Sequence, residues 1–251
     1  MAKLIKILQW IRKFFKRLFW FTIFSIIGIL VISVLLVLSM RWINPIGTSL
    51  MVERKIESWQ AGDGLKFQRE WKGWYEISDS LKLAVIASED QNFPYHHGFD
   101  MEAIQQALKH NADGGNLRGA STISQQVSKN IFLWSGRSWF RKGVEVWFTA
   151  WIELLWSKER ILEVYLNSAE WGDGIFGAEA AAQYYFNTTA RKLTKEQASL
   201  LAAVLPNPRN WNPAKPTVYI NSRGVFIRKQ MDNLGGNAFL QKLRCGNDCP
   251  K

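Results

Sequence analysis

Apolar residues recur at helical spacing over 80–90, 101–111, 121–133, 139–156, 158–167, 175–186 and 194–204, and strand-like alternation is scarce. Each stretch is read as a helix. Asp100 and Ser121 stand where N-caps are expected, and Gly114-Gly115 where a helix stops. The lead-in over 46–79 is mixed, with Gly62-Asp63-Gly64 predicted as a turn. Residues 46–251 are enough for one domain with its own core, and its class is predicted as mainly α.

A different pattern precedes that domain. Leu18 to Met40 is 23 residues without a charge. At about 1.5 Å per residue this crosses a hydrocarbon core of about 30 Å. Trp20 and Trp42 flank it as interfacial aromatics do. Lys3, Lys6, Arg12, Lys13, Lys16 and Arg17 precede it, and only Arg41 lies between it and Asn44-Pro45. The positive-inside rule puts residues 1–17 in the cytoplasm, 18–40 across the membrane and 46–251 outside. A cleaved signal peptide would have a shorter apolar core and a small-residue site, but Met40-Arg41-Trp42 follows, so a retained single-pass anchor is expected.

The net charge is +11, with 32 Lys+Arg against 21 Asp+Glu. Residues 1–45 hold seven of the basic residues and no acid, leaving 25 against 21, a net of +4. Most of the basicity is therefore topology signal, and no nucleic-acid partner is expected. Cys245 and Cys249 are the only cysteines. A disulfide between them would close only a small terminal loop, and no His nearby makes them a zinc site.

Candidate chemistry begins at Ala84–Asp100, AVIASEDQNFPYHHGFD. An apolar helical turn ends there on Glu89 and Asp90, where the partial negative charge of a helix C-terminus raises a carboxyl pKa. A carboxylate held near its proton suits general-base work at neutral pH. A second block, Arg118 to Asn130, puts Ser121, Gln125 and Lys129 on one face if Ser121 caps a helix, with Ile123, Val127 and Ile131 on another. Hydroxyl, amide and ammonium groups on one face suit sugar hydroxyls and a phosphate. In the third block Arg137, Arg141 and Glu145 are spaced i, i+4, i+8. In the fourth, Lys158, Glu163 and Asn167 are polar points on a packing helix, read as mostly structural, before Gly172, Gly174 and Gly177.

Together these blocks resemble the peptidoglycan glycosyltransferases. Glu89-Asp90-x-x-Phe93-x-x-His96-x-Gly98-x-Asp100 is similar to the first signature of that family, and Gly119-Ala120-Ser121-Thr122-Ile123-Ser124-Gln125-Gln126-Val127-x-Lys129-Asn130 to the second. Arg141-Lys142-x-x-Glu145 resembles the third and Lys158-Glu159-x-Ile161-Leu162-Glu163-x-Tyr165-Leu166-Asn167 the fourth. Leu193 to Pro208, with Glu196, Ala198 and Pro206, resembles the fifth. Ala120 for a second Gly and Ser124 for Thr are mild departures.

The resemblance implies a lysozyme-like helical head with a smaller membrane-proximal jaw lobe. It implies polymerisation of lipid II, with the growing glycan chain on its lipid diphosphate as donor, by the type lacking a transpeptidase domain. An α-linked donor and a β-1,4 product call for one inverting displacement, and Glu89 is assigned as the base that deprotonates the acceptor 4-hydroxyl. Lys129 and Arg137 match positions that face diphosphate, with Arg118 a weaker candidate. Glu145 matches a second essential carboxylate that orients a diphosphate-binding cation or a metal. Ser121, Gln125, Gln126 and Asn130 would meet substrate oxygens, with Asp90, Phe93 and His96 as supports and Asp100 as a helix cap.

No organic cofactor and no metal-ligand set is expected, which leaves a divalent cation, Mg2+ or Mn2+, open. Trp134 and Trp139 flank Ser135-Gly136-Arg137 and are expected to enter the headgroup zone of the bilayer. The resemblance also implies the inner membrane, a periplasmic catalytic domain, and partners among cell-division or cell-wall synthesis proteins. A glycan-cleaving lytic transglycosylase and a non-catalytic cell-wall scaffold are the rival readings.

Overall fold

The computed structural model describes residues 2–62, 64, 67–112, 119–136 and 138–245. Arg118, Arg137, Gly114-Gly115, Asp63 and Cys249 lie outside the described residues. The chain divides into two compact units, Met1–Ile43 and Asn44–Lys251.

The first unit is helix α1, Ala2–Ser39. It runs through the basic residues as well as the apolar ones and ends just before Met40. Its Gln9–Ser39 stretch is long and apolar enough to cross a membrane, and its large apolar side chains are mostly exposed. The hydroxyls of Thr22, Ser33 and Ser39 donate to the carbonyls of Leu18, Leu30 and Leu36 in the preceding turn. Such back-bonding satisfies these three hydroxyls within the helix itself.

The second unit is mainly α, as the periodicity predicts. Its helices are α2 Ser49–Ala61, α3 Asp79–Glu89, α4 Met101–Ala112, α5 Ile123–Phe132, α6 Trp139–Leu155, α7 Lys158–Ser168, α8 Ala178–Phe186, α9 Lys195–Val204, α10 Val218–Asn233 and the single turn α11 Lys242–Cys245. Ser78, Ser138, Ser157, Thr194 and Thr217 cap their helices by accepting the N–H three residues on. Asp100 does the same for α4, receiving the Ala103 N–H at 2.8 Å.

Two groups of helices organise this unit. In the first, α3 lies against α9 and α10, and α9 against α10. Leu81–Ala87 and Ala198–Val204 are buried on every side, so these helices are core rather than amphipathic surface. In the second, α5 lies against α6, α7 and α2. Here buried polar groups take part: Ser128 and Thr149 bond at 2.9 Å, and Ser124 donates to Glu153.

Four sequence expectations need correction. The helix over 175–186 starts at Ala178, because Ile175-Phe176 form strand β3. β3 is the middle strand of a small sheet, parallel to β1 (Gln68–Arg69) and antiparallel to β2 (Glu170–Gly172). Gly177 turns strand into helix at φ 85°, and a Cβ there would sit 3.1 Å from the Asn167 carbonyl oxygen. The cap of α5 is Thr122, not Ser121, since it is Thr122 Oγ1 that receives the Gln125 N–H. Finally, α2 and α10 are helices that the apolar spacing did not predict.

Candidate active site

Two polar clefts carry the candidate residues. The larger, of about 500 Å³, is lined by Gln126, Lys129, Asn130 and Tyr165, by Arg54 of α2, by Arg141 of α6, and by the loop Leu133–Gly136. The smaller, of about 250 Å³, is lined by Glu89, Asp90, Asn92 and Asp100 and by Gly119–Thr122.

Glu89 lines the smaller cleft, and its hydrogen bond to Gln126 links it to a residue of the larger one. It is the last residue of α3, partly exposed, and its Oε2 accepts the side-chain N–H of Gln126 at 2.9 Å. Burial pushes its carboxyl above the ordinary value of 4.5, and the neighbouring Asp90 adds to this. The Gln126 hydrogen bond and the positive charges of Arg223 and Lys129 pull the other way. Gln126 in turn accepts from the Tyr165 hydroxyl at 3.2 Å.

Asp90 also borders the smaller cleft, but its carboxylate is taken up by protein partners. Its buried carboxylate receives the Ile123 N–H at 2.9 Å and faces His96 Nε2 at 2.9 and 3.0 Å. One acid thus caps the exposed N–H groups of α5 and fixes the following loop. Phe93 is buried edge-on to His96, with the Lys158 ammonium 4.6 Å from its ring centre. Lys158 also donates to the His96 carbonyl at 2.6 Å and to Glu153 at 2.8 Å. Gly98, at φ 85°, lets the loop close on α6, where a Cβ would come within 2.8 Å of Thr149 Cγ2. Asp90, Phe93 and His96 therefore support the site rather than line the larger cleft.

The cationic wall is α5 and α6. Lys129 is exposed to the larger cleft, and its ammonium makes no hydrogen bond or ion pair among the described residues. Lost hydration lowers its pKa, as do Arg141 and Lys142, while Glu145 and Glu89 raise it. Glu145 is buried, with Lys142 Nζ at 2.5 Å from one oxygen and Arg141 Nη1 at 3.6 Å from the other. It holds these two cations beside Lys129.

Other predicted residues fall differently. Ser121 is exposed on the smaller cleft, beside Glu89 rather than beside Lys129. Gln125 is buried, and its Oε1 accepts the Thr122 N–H at 3.0 Å in a capping box. Asn130 is buried in the wall of the larger cleft. Glu163 and Asn167 bind the backbone of Trp74 and Lys72, which confirms their structural reading.

Sequence reasoning missed Tyr165 and Arg54. Tyr165 stands within the fourth block, and a Tyr on a buried helix face needs a hydroxyl partner, which was a usable signal. Arg54 pairs with Glu170 at 3.1 Å across the cleft edge, and no spacing announces that contact.

Among the described residues, no three His, Cys, Asp or Glu side chains cluster closely enough to hold a metal. Both oxygens of Glu145 already face cations. This donor set does not fit a resident divalent cation.

Residues 56–232 match the family model described as Transglycosylase. The chain is 62% identical over 219 residues to the biosynthetic peptidoglycan transglycosylase of Stutzerimonas stutzeri (strain A1501), covering 87% of this chain and 90% of that one. It is 58% identical over 233 residues to the protein of the same name from Pseudomonas putida F1, covering 93% and 95%. With the one from Pseudomonas fluorescens Pf-5 it shares 59% over 239 residues, covering 95% and 96%.

Proposed function

We propose, for a chain that belongs to the transglycosylase family, that it is a peptidoglycan glycosyltransferase polymerising lipid II into β-1,4-linked glycan strands. The observation that carries this reading is Glu89 in a small polar cleft, hydrogen-bonded to Gln126 of a larger cleft walled by Lys129 and Arg141.

The chemistry follows from that placement. The acceptor sugar enters the smaller cleft and presents its 4-hydroxyl to Glu89. Glu89 takes the hydroxyl proton as the oxygen attacks the anomeric carbon of the donor glycan from the face opposite its diphosphate. The bond between that carbon and the diphosphate oxygen breaks, its electron pair leaves with the lipid diphosphate, and the configuration inverts. Lys129 and Arg141, the latter held by Glu145, receive the developing negative charge in the larger cleft. A carboxyl pKa raised by burial suits a base that must take up a proton near neutral pH. No step requires a protein-bound metal; a Mg2+ or Mn2+ ion would accompany the substrate diphosphate.

In this reading α1 anchors the chain in the inner membrane, with the basic N-terminus cytoplasmic and Asn44–Lys251 periplasmic. Trp139 is 93% exposed, and Trp134, 51% exposed, lines the larger cleft; in this reading both meet the bilayer carrying the substrate's tail. Cell-wall synthesis or division proteins would be its neighbours there.

The test is polymerisation of labelled lipid II by the wild type and Glu89→Gln. Lysozyme-sensitive polymer from the wild type, with a rate lower by about 10²–10⁴-fold in the variant, is expected. Polymer formed equally by both removes Glu89 from its role. Release of fragments from preformed sacculi, without polymer, points to a cleaving enzyme instead.

A further inference from the structure

The polar groups of the larger cleft include one hydroxyl that the reaction above does not use. Tyr165 on α7 is 1% exposed, and among the described residues its hydroxyl has one hydrogen-bond partner, Gln126 Oε1 at 3.2 Å. A Tyr buried at this depth needs a partner for its hydroxyl. Gln126 Nε2 donates to Glu89 Oε2 at 2.9 Å, so three elements, α7, α5 and α3, end on one chain of hydrogen bonds.

The chain has a direction. An ionised carboxylate only accepts, so Gln126 must turn its NH2 to Glu89 and its oxygen to Tyr165. Without the Tyr165 hydroxyl, only the Glu89 bond holds the amide, which is then freer to swing into the cleft. Its own backbone does not hold the side chain in that orientation.

We infer that Tyr165 is a positioning residue, which fixes the orientation of the Gln126 amide and through it the carboxylate of Glu89 against the acceptor hydroxyl. The inference rests on Glu89 being the base. Tyr165 itself keeps its proton, since burial and the nearby Glu89 charge both push its pKa well up. The groups facing Glu89 are Asp90 from the chain itself, Gln126 and Lys129 from α5, and Arg223 from α10. Tyr165→Phe leaves all of these in place and loosens only the Gln126 bond, which favours the ionised form. The acidic limb of the rate should therefore move to higher pH.

The experiment compares full-length wild type, Tyr165→Phe, Gln126→Ala, the double variant and Glu89→Gln in lipid II polymerisation across pH 5–9. For Tyr165→Phe, kcat should fall about 5–20-fold with KM changed less than about twofold, and the acidic limb should move upward. The Tyr165 and Gln126 effects should not multiply, because the double variant loses the same link only once. An unmoved acidic limb in Tyr165→Phe overturns the inference, and so do Tyr165 and Gln126 effects that multiply. Active Glu89→Gln overturns the base assignment and this inference with it. Inactive Glu89→Gln beside wild-type behaviour in Tyr165→Phe removes only the inference.

Discussion

The helices α3, α9 and α10 and the helices α5, α6 and α7 differ in what they bury. The first group buries Leu, Ile, Val and Ala almost without polar atoms: Leu81–Ala87 apart from Lys82, and Ala198–Val204 apart from Ser199. The second buries Asn130 and also Ser124, Gln125, Ser128, Glu145 and Thr149, whose side chains bond to Glu153, to a helix end, to one another or to a cation. Apolar burial is non-directional and supplies stability. Buried hydrogen bonds add little net stability but fix orientation, because leaving one unmade is costly. The first group thus holds the end of α3 in place, while the second sets the direction of the groups that meet Glu89.

The largest test of that division is Lys129→Ala. A single lost donor to developing charge should slow polymerisation by about 10²–10³-fold, with little change in thermal stability, since Lys129 has no protein partner among the described residues to lose. A large fall in stability would show that the wall is structural after all.

Leu201→Ala is the counterpart. Leu201 is fully buried in α9, and its truncation should cost about 2–5 kcal/mol, read from urea unfolding, with kcat per folded molecule nearly unchanged. A kcat loss matching that of Lys129→Ala would erase the distinction between the two groups.

A smaller effect sharpens the boundary at Glu89. Its raised pKa means that the folded protein holds the proton more tightly than the unfolded chain. Stability must then fall as pH rises from about 4.5 through the folded value, because ionisation is disfavoured only in the folded state. Glu89→Gln should therefore raise Tm at pH 7 and leave it nearly unchanged at pH 4. Equal Tm differences at both pH values would show that burial does not strain this carboxylate. The smallest effect is expected at Arg209, paired with Asp173 and Glu57 on the surface. Arg209→Ala should change stability by about 0–1 kcal/mol, less at high salt, by chemical unfolding.

Local features were legible in the chain. The Asp100 cap and the apolar period of α3 or α9 act over a few residues. The Leu18–Met40 run is legible because membrane crossing depends on length and composition. The α2 helix escaped because exposed Val52, Ile56 and Trp59 blur its apolar face. In α10, Gly224 sits mid-helix, where propensity argues against it. A Cβ there would approach Leu200 Cδ2 to 3.2 Å, so the close packing on α9 explains the choice. Ser121 and Thr122 are both good caps by residue type, so the sequence does not separate them at the start of α5. Only the position of the helix, set by Asp90 receiving the Ile123 N–H, selects Thr122.

The sequence by itself determined the helical class, the apolar anchor segment and the acid at the end of α3, since each rests on spacing, composition or nearest neighbours. Tertiary structure alone decided what each of the two adjacent acids meets. Asp90 is drawn off by His96 and the start of α5, while Glu89 is met by Gln126, 37 residues away, and through it by Tyr165, a further 39 away. Hydrogen bonds are directional and short-ranged, so they exist only once packing has brought distant helices within about 3 Å, and no periodicity in the chain records them.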